Sequence, residues 1–149
     1  MFLNKYKNKR RLGKGAYGDV YLVEDEKGQQ LALKLISVRM IENEPHLREY
    51  LDGEIECMKT MNSPNIIKLY DVAEDDTSIY LVLEYCDGGD LINYQAKLAN
   101  RVFSLPKATE VLAEVIIGLE QLHQEGYLHR DIKSQNVLIK NENGKEVRL

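Results

Sequence analysis

His129-Arg130-Asp131-Ile132-Lys133-Ser134-Gln135-Asn136 sets an imidazole, a carboxylate, two cations and two amides in one short polar loop. On its C-terminal side, Val137 to Ile139 and Val147 to Leu149 read as a small hairpin across Asn141 to Lys145. On its N-terminal side the pattern is that of a long helix. Ser104 can cap that helix, Val111, Leu112, Val115, Ile116, Leu119 and Leu122 form a wide apolar stripe, and Gly126 closes it. Ile117 adds apolar surface beside the stripe, as suits a helix enclosed among others.

Asp131, Lys133 and Asn136 suit attack of a hydroxyl on phosphorus. The hydroxyl's proton must be accepted and its lone pair aimed, and a carboxylate within hydrogen-bond reach does both, for about 10²–10⁴ in rate. Lys133 can neutralise charge on the transferred group, and the Asn136 side-chain oxygen is a hard ligand suited to Mg²⁺. His129 reads as a structural ring packed beneath the loop. Arg130 reads as orienting neighbouring loops or pairing with an anion.

Far upstream lies Gly13-Lys14-Gly15-Ala16-Tyr17-Gly18-Asp19-Val20. The glycine spacing alone is weak, because it also marks dinucleotide-binding folds. Here a strand, Val20 to Val23, follows the last glycine in place of a helix, so no helix N-terminus awaits a pyrophosphate. Two readings stay open: a glycine hairpin folded over a triphosphate, or a plain turn. Lys34 ends the apolar run Leu31-Ala32-Leu33, where an ammonium needs a carboxylate, and Glu54 on the intervening helix is the best candidate. The alternative is a surface lysine at a strand edge.

The 149 residues suffice for one sizeable core or two small lobes. Lys and Arg number 20 against 24 Asp and Glu, a net charge of −4 that gives no global field for nucleic acid or anionic lipid. The one basic run, Lys5 to Arg11, reads as a solvated lead-in to the first strand. Two cysteines without metal-type spacing give no disulfide framework, and no apolar run is long enough to span a bilayer. A soluble, cytoplasmic protein is expected.

Strands are expected at Lys9 to Leu12, Val20 to Glu24, Leu31 to Ile36, Ile67 to Val72 and Ile79 to Glu84, with turns at Lys27-Gly28 and Asp75-Asp76. A single helix, Glu49 to Met61, interrupts them, carrying Ile55, Met58 and Met61 at helical spacing and ended by Ser63-Pro64. Asp87-Gly88-Gly89-Asp90 reads as a linker and helix entry, with a short helix near Leu91 to Ala99. The fold class is α+β: a five-stranded antiparallel layer with one helix, then a mainly helical part.

Taken together, these motifs resemble the eukaryotic protein kinases over nearly the whole chain. The resemblance implies a kinase-like small lobe and hinge over residues 1–86 and a partial large lobe over 87–149. It implies that Gly13, Lys14, Gly15, Gly18 and Val20 cover the phosphates of ATP, that Lys34 pairs with Glu54, and that Asp131, Lys133 and Asn136 act on the transferred group, with Asn136 a metal ligand. Leu83 stands at the gatekeeper position, Glu84 to Cys86 at the hinge, Asp90 at the ribose, and Val20, Ala32 and Leu138 around the adenine.

Lys133 resembles the serine/threonine-specific class, so a protein serine or threonine is the expected phosphoryl acceptor, with ATP and Mg²⁺ as cofactors. The hinge run Glu84 to Leu91 and the pair Gln135-Asn136 look similar to the autophagy-initiating Unc-51-like kinases, whereas Ser134 departs from the proline usual there. The family pattern would continue into Asp-Phe-Gly and the activation segment after Leu149. The expectation is therefore the first portion of a kinase domain, with residues 1–149 inactive alone. The alternative is an inactive module that binds nucleotide or regulatory protein partners.

Overall fold

The computed structural model describes residues 2–15, 18–140 and 146–149. The chain divides into two compact units, one of residues 1–60 and 68–85, the other of 61–67 and 86–149.

The first unit is built on a five-stranded antiparallel sheet. Its strands are β1 (Lys7–Gly15), β2 (Gly18–Glu24), β3 (Gln30–Ser37), β4 (Leu69–Glu74) and β5 (Ser78–Glu84), in spatial order β1-β2-β3-β5-β4. The turns follow their expected chemistry. Gly28 adopts φ +81°, and the Asp25 carboxylate accepts from the backbone N–H groups of Lys27 and Gln29. The basic run is not a lead-in, because Lys7, Lys9, Arg10, Arg11 and Lys14 all lie within β1, an edge strand. Charged side chains there discourage further strand pairing. Lys9 pairs with Glu24 and Arg11 with Asp19.

Pairing register sorts the sheet into two faces. Val20 stands opposite Lys34, which stands opposite Leu81; Leu22, Ala32 and Leu83 form the next row. The other face carries a buried cluster of Val23, Leu31, Leu33, Tyr80 and Val82, with Tyr6, Tyr21, Leu35 and Ala73 packed against it.

Two helices, in place of the single one expected, connect β3 to β4. They are α1 (Val38–Glu42) and α2 (Pro45–Thr60). α1 has only five residues, too short for a periodic signal, and it buries Ile41. α2 starts four positions earlier than the apolar spacing indicates, because proline is tolerated in a helix's first turn, where its missing N–H has no partner to lose. Leu51, Ile55 and Met58 are its buried residues.

The second unit holds α3 (Leu91–Ala96), α4 (Leu105–Gln124) and a three-stranded sheet of β6 (Gly89–Asp90), β7 (Leu138–Lys140) and β8 (Glu146–Arg148). Ser104 caps α4 by accepting from the Lys107 N–H, and Gly126, at φ +82°, ends it. The Tyr127 and Gly126 N–H groups return to the carbonyls of Leu122 and His123, the paired bonds of a Schellman stop. Val111, Val115, Val137, Ile139, Val147 and Leu149 form the core, with Leu91, Tyr94 and Leu119 against it.

The apolar stripe of α4 splits. Leu112 and Ile116 are 58% and 54% exposed, and Ile117 is also exposed, while Val111, Val115 and Leu122 are buried. The hairpin arms pair as expected, and residues 141–145 of its turn lie outside the described residues.

Residues 61–67 join this unit through polar ties. Asn65, 7% exposed, donates from Nδ2 to Glu114 Oε2 at 3.1 Å and to the Val147 carbonyl at 3.2 Å. Glu114 also accepts from the Val147 N–H at 2.9 Å. The Leu149 N–H donates to the Asn65 carbonyl, the Ile67 N–H to the Leu149 carbonyl, and Ser63 bonds Gln121. A Cβ at Gly118 would lie 2.9 Å from Leu149 Cδ1 and 3.0 Å from the Asn65 oxygen, so the helix needs glycine to approach this closely.

Candidate active site

In the second unit, the polar loop beyond α4 is organised around Asp131. Asp131 Oδ2 accepts from Lys133 Nζ at 2.8 Å and from Asn136 Nδ2 at 2.8 Å. Asn136 Nδ2 also donates to the Asp131 carbonyl at 2.9 Å. Asp131 Oδ1 has no partner among the described residues. The Lys133 hydrogen bond, helped by Asn136 and by the charges of Lys133 and His129, holds the carboxyl below its ordinary value, so it is ionised at neutral pH.

Local backbone geometry sets this arrangement. The half-buried His129 accepts the Asp131 N–H at Nδ1, 3.3 Å away, a loop-supporting contact. Arg130 sits at φ +63°, a left-handed conformation that costs a non-glycine residue about 1–2 kcal/mol. It reverses the chain between His129 and Asp131. A 3-10 turn, Ser134–Asn136, with the Asn136 N–H on the Lys133 carbonyl at 2.8 Å, then brings the amide back to the carboxylate.

Because Asn136 commits its amide nitrogen to Asp131, its Oδ1 is the atom left to act as a hard donor. That donor suits Mg²⁺ in kind. Yet no group of three or more His, Cys, Asp or Glu side chains among the described residues could hold a metal ion.

In the first unit, Val20, Ala32, Lys34 and Leu83 share one face of the sheet through the β2-β3-β5 register. Ala32 and Leu83 are buried, and Lys34 is half-buried. Gly13 stands opposite Val20, Lys14 opposite Asp19 and Gly15 opposite Gly18, while Ala16 and Tyr17 lie outside the described residues. The need for glycine at 18 comes from the sheet. A Cβ there would lie 1.7 Å from the Leu35 carbonyl oxygen, whereas one at Gly13 would meet nothing within 4 Å.

The expected Lys34–Glu54 ion pair is not formed. No salt bridge joins the two among the described residues, and Glu54 is exposed. A half-buried lysine can cover its stem and keep its ammonium wet, so it does not require the carboxylate that full burial would. Glu54 is felt instead by Cys57, one turn on, whose thiol is pushed up by burial first and by that negative charge second.

Glu84 and Cys86 are buried. The Glu84 N–H donates to the Lys68 carbonyl at 2.8 Å, and the Cys86 carbonyl accepts from the Gly89 N–H at 3.1 Å. Asp90 and Leu138 belong to the second unit and are paired across β6 and β7. The sequence signals only a linker at β6, since two residues of Gly and Asp carry no strand pattern. Asp90 also caps α3: Oδ1 accepts from the Asn93 N–H at 2.7 Å and Oδ2 from Asn93 Nδ2 at 2.6 Å. Asn93, which the sequence motifs do not single out, thus holds both oxygens of Asp90, and its placement three residues beyond a capping aspartate is the available signal.

A family model described as protein kinase domain matches residues 6–149, and the chain belongs to that family. It is 43% identical over 129 residues to a calcium-dependent protein kinase 5 of Plasmodium falciparum, covering 86% of this chain and 22% of the relative. It is 38% identical over 139 residues to an Aurora/IPL1-related protein kinase 2 of Caenorhabditis elegans, covering 92% and 44%. It is 36% identical over 132 residues to a serine/threonine-protein kinase ATG1a of Arabidopsis thaliana, covering 87% and 20%. The chain thus spans less than half the length of each of these relatives. Among the described residues no helix is long and apolar enough to cross a membrane.

Proposed function

We propose that this chain carries the nucleotide-binding and base-bearing part of an ATP-dependent serine/threonine protein kinase, which passes the γ-phosphoryl group of ATP to a protein hydroxyl. The observation that carries the reading is the Asp131 carboxylate, ionised, with Oδ2 held by Lys133 and Asn136 and Oδ1 left to accept a proton. Serine/threonine specificity is supported by Lys133 and by the name of the ATG1a relative.

In this reading Gly13, Lys14, Gly15 and Gly18 meet the phosphates, and Val20, Ala32, Leu83 and Leu138 line the adenine. The backbone at Glu84 and Cys86 holds its edge, and Asp90 takes the ribose. Lys34 orients the phosphates once α2 brings Glu54 to it, and Asn136 is a ligand of the Mg²⁺ that accompanies ATP. Residues 1–86 are the small lobe and hinge, and 87–149 the first part of the large lobe, in a cytoplasmic protein open to regulatory partners.

A second reading is an inactive module that binds nucleotide or a protein partner. Transfer of labelled γ-phosphate to a serine-bearing protein separates the two. Asp131→Asn should abolish transfer while nucleotide still binds; retained turnover would remove Asp131 as the base. Nucleotide binding with no transfer by the unaltered protein would favour the second reading.

A further inference from the structure

We infer that Asn93 is a positioning residue that fixes the Asp90 carboxylate to receive a vicinal diol, and so makes the site select ribonucleotides over deoxyribonucleotides. The inference rests on the reading of Asp90 as the ribose contact. Asp90 is pinned twice. The β6–β7 ladder sets it opposite Leu138, with the Leu91 N–H on the Val137 carbonyl at 2.8 Å. Its carboxylate is then gripped at both oxygens by one residue, through the Asn93 N–H at 2.7 Å and the Asn93 Nδ2 at 2.6 Å.

A backbone cap alone would need only one of these bonds. The second stops the carboxylate from turning about its last torsion, a broad and soft one when unrestrained. Each carboxylate oxygen has two acceptor sites, so one on each remains after Asn93 is satisfied. Two parallel acceptors at fixed orientation match two neighbouring hydroxyl donors, as on the 2′ and 3′ carbons of ribose. A freely turning carboxylate would meet one hydroxyl as well as two.

The test compares dissociation constants for ATP and 2′-deoxy-ATP in the unaltered protein and in Asn93→Ala, Asn93→Ser and Asp90→Ala. Asn93→Ala keeps the backbone N–H cap and loses only the side-chain donor. The unaltered protein should favour ATP by about five-fold or more, the order expected of one hydrogen bond to a charged group at a partly open site. Asn93→Ala and Asp90→Ala should both bring the ratio near one, and Asn93→Ser, which keeps a donor, should recover part of it. General destabilisation would weaken both nucleotides together and leave the ratio unchanged. If Asp90→Ala collapses the ratio while both Asn93 variants keep it, Asn93 has no positioning role and the ribose contact stands. If Asp90→Ala keeps the ratio, or the unaltered protein shows none, the ribose reading falls and this inference with it.

Discussion

The Arg48 guanidinium grips both carboxylate oxygens of Glu74, Nη1 to Oε1 at 2.7 Å and Nη2 to Oε2 at 2.9 Å. Its Nε also reaches both oxygens of Asp52, one turn along α2, at 3.2 and 3.1 Å. One planar cation therefore ties α2 to β4, and its pKa is raised, first by the Glu74 hydrogen bond and then by that of Asp52.

Arg48→Lys should lose the two-pronged geometry while keeping the charge. Both partners are substantially exposed, so the cost should be about 1 kcal/mol or less, seen as a lower urea midpoint. Glu74→Gln should cost a similar amount, and the double variant should cost less than the sum. Additive losses would show that the bridge contributes nothing to stability.

Gly18→Ala and Gly13→Ala should behave oppositely although both belong to one glycine motif. A Cβ at 18 would collide with the Leu35 backbone, so the β2–β3 ladder must shift, at a cost of about 1–3 kcal/mol in thermal melts. A Cβ at 13 meets nothing, and melting should be unchanged within about 0.5 kcal/mol. Equal melting of the two variants would contradict the role given to Gly18.

Asp75 is a carboxylate of the first unit whose hydrogen bonds predict a pH-dependent contribution to stability. Its Oδ1 accepts from the Thr77 hydroxyl at 2.7 Å and from the Thr77 and Ser78 N–H groups at 2.8 and 3.0 Å, while Oδ2 accepts from the Tyr80 hydroxyl at 2.8 Å. Led by the Thr77 hydroxyl, these bonds bring its pKa down from 3.8 to about 2. A depressed carboxyl stabilises the fold fully above its unfolded value and loses that contribution as pH falls toward the folded value. Asp75→Asn should therefore be less stable than the unaltered protein at pH 7, with the gap closing between about pH 4 and pH 2. A gap of constant size across that range would mean that Asp75 is not the titrating group.

Strands β2, β3 and β5 are legible in the sequence because alternation or unbroken apolar runs dominate them, and α4 because its cap, stripe and closing glycine agree. The polar loop is legible as a cluster, since Asp131, Lys133 and Asn136 lie close in sequence and local turns suffice to join them. Long-range polar ties are not. Nothing in a sequence pattern announces that Asn65 meets Glu114 and Val147, because such bonds depend on how separate elements dock. The Lys34–Glu54 pair fails for the same reason, as it depends on the setting of α2 against the sheet. For Gly18 the motif points to the residue, while its close approach to the Leu35 carbonyl, a contact set by the β2–β3 pairing, has no signal in the sequence.

Met61 to Ile67 sits between α2 and β4 in the chain yet belongs with residues 86–149. Dissection at the 85–86 junction would thus yield a C-terminal piece lacking one wall, with Glu114 and Val147 stripped of their bonds to Asn65. As a contiguous segment, residues 86–149 omit the Met61–Ile67 part of the second unit. A ribosome releasing this chain makes the wall long before the building it belongs to.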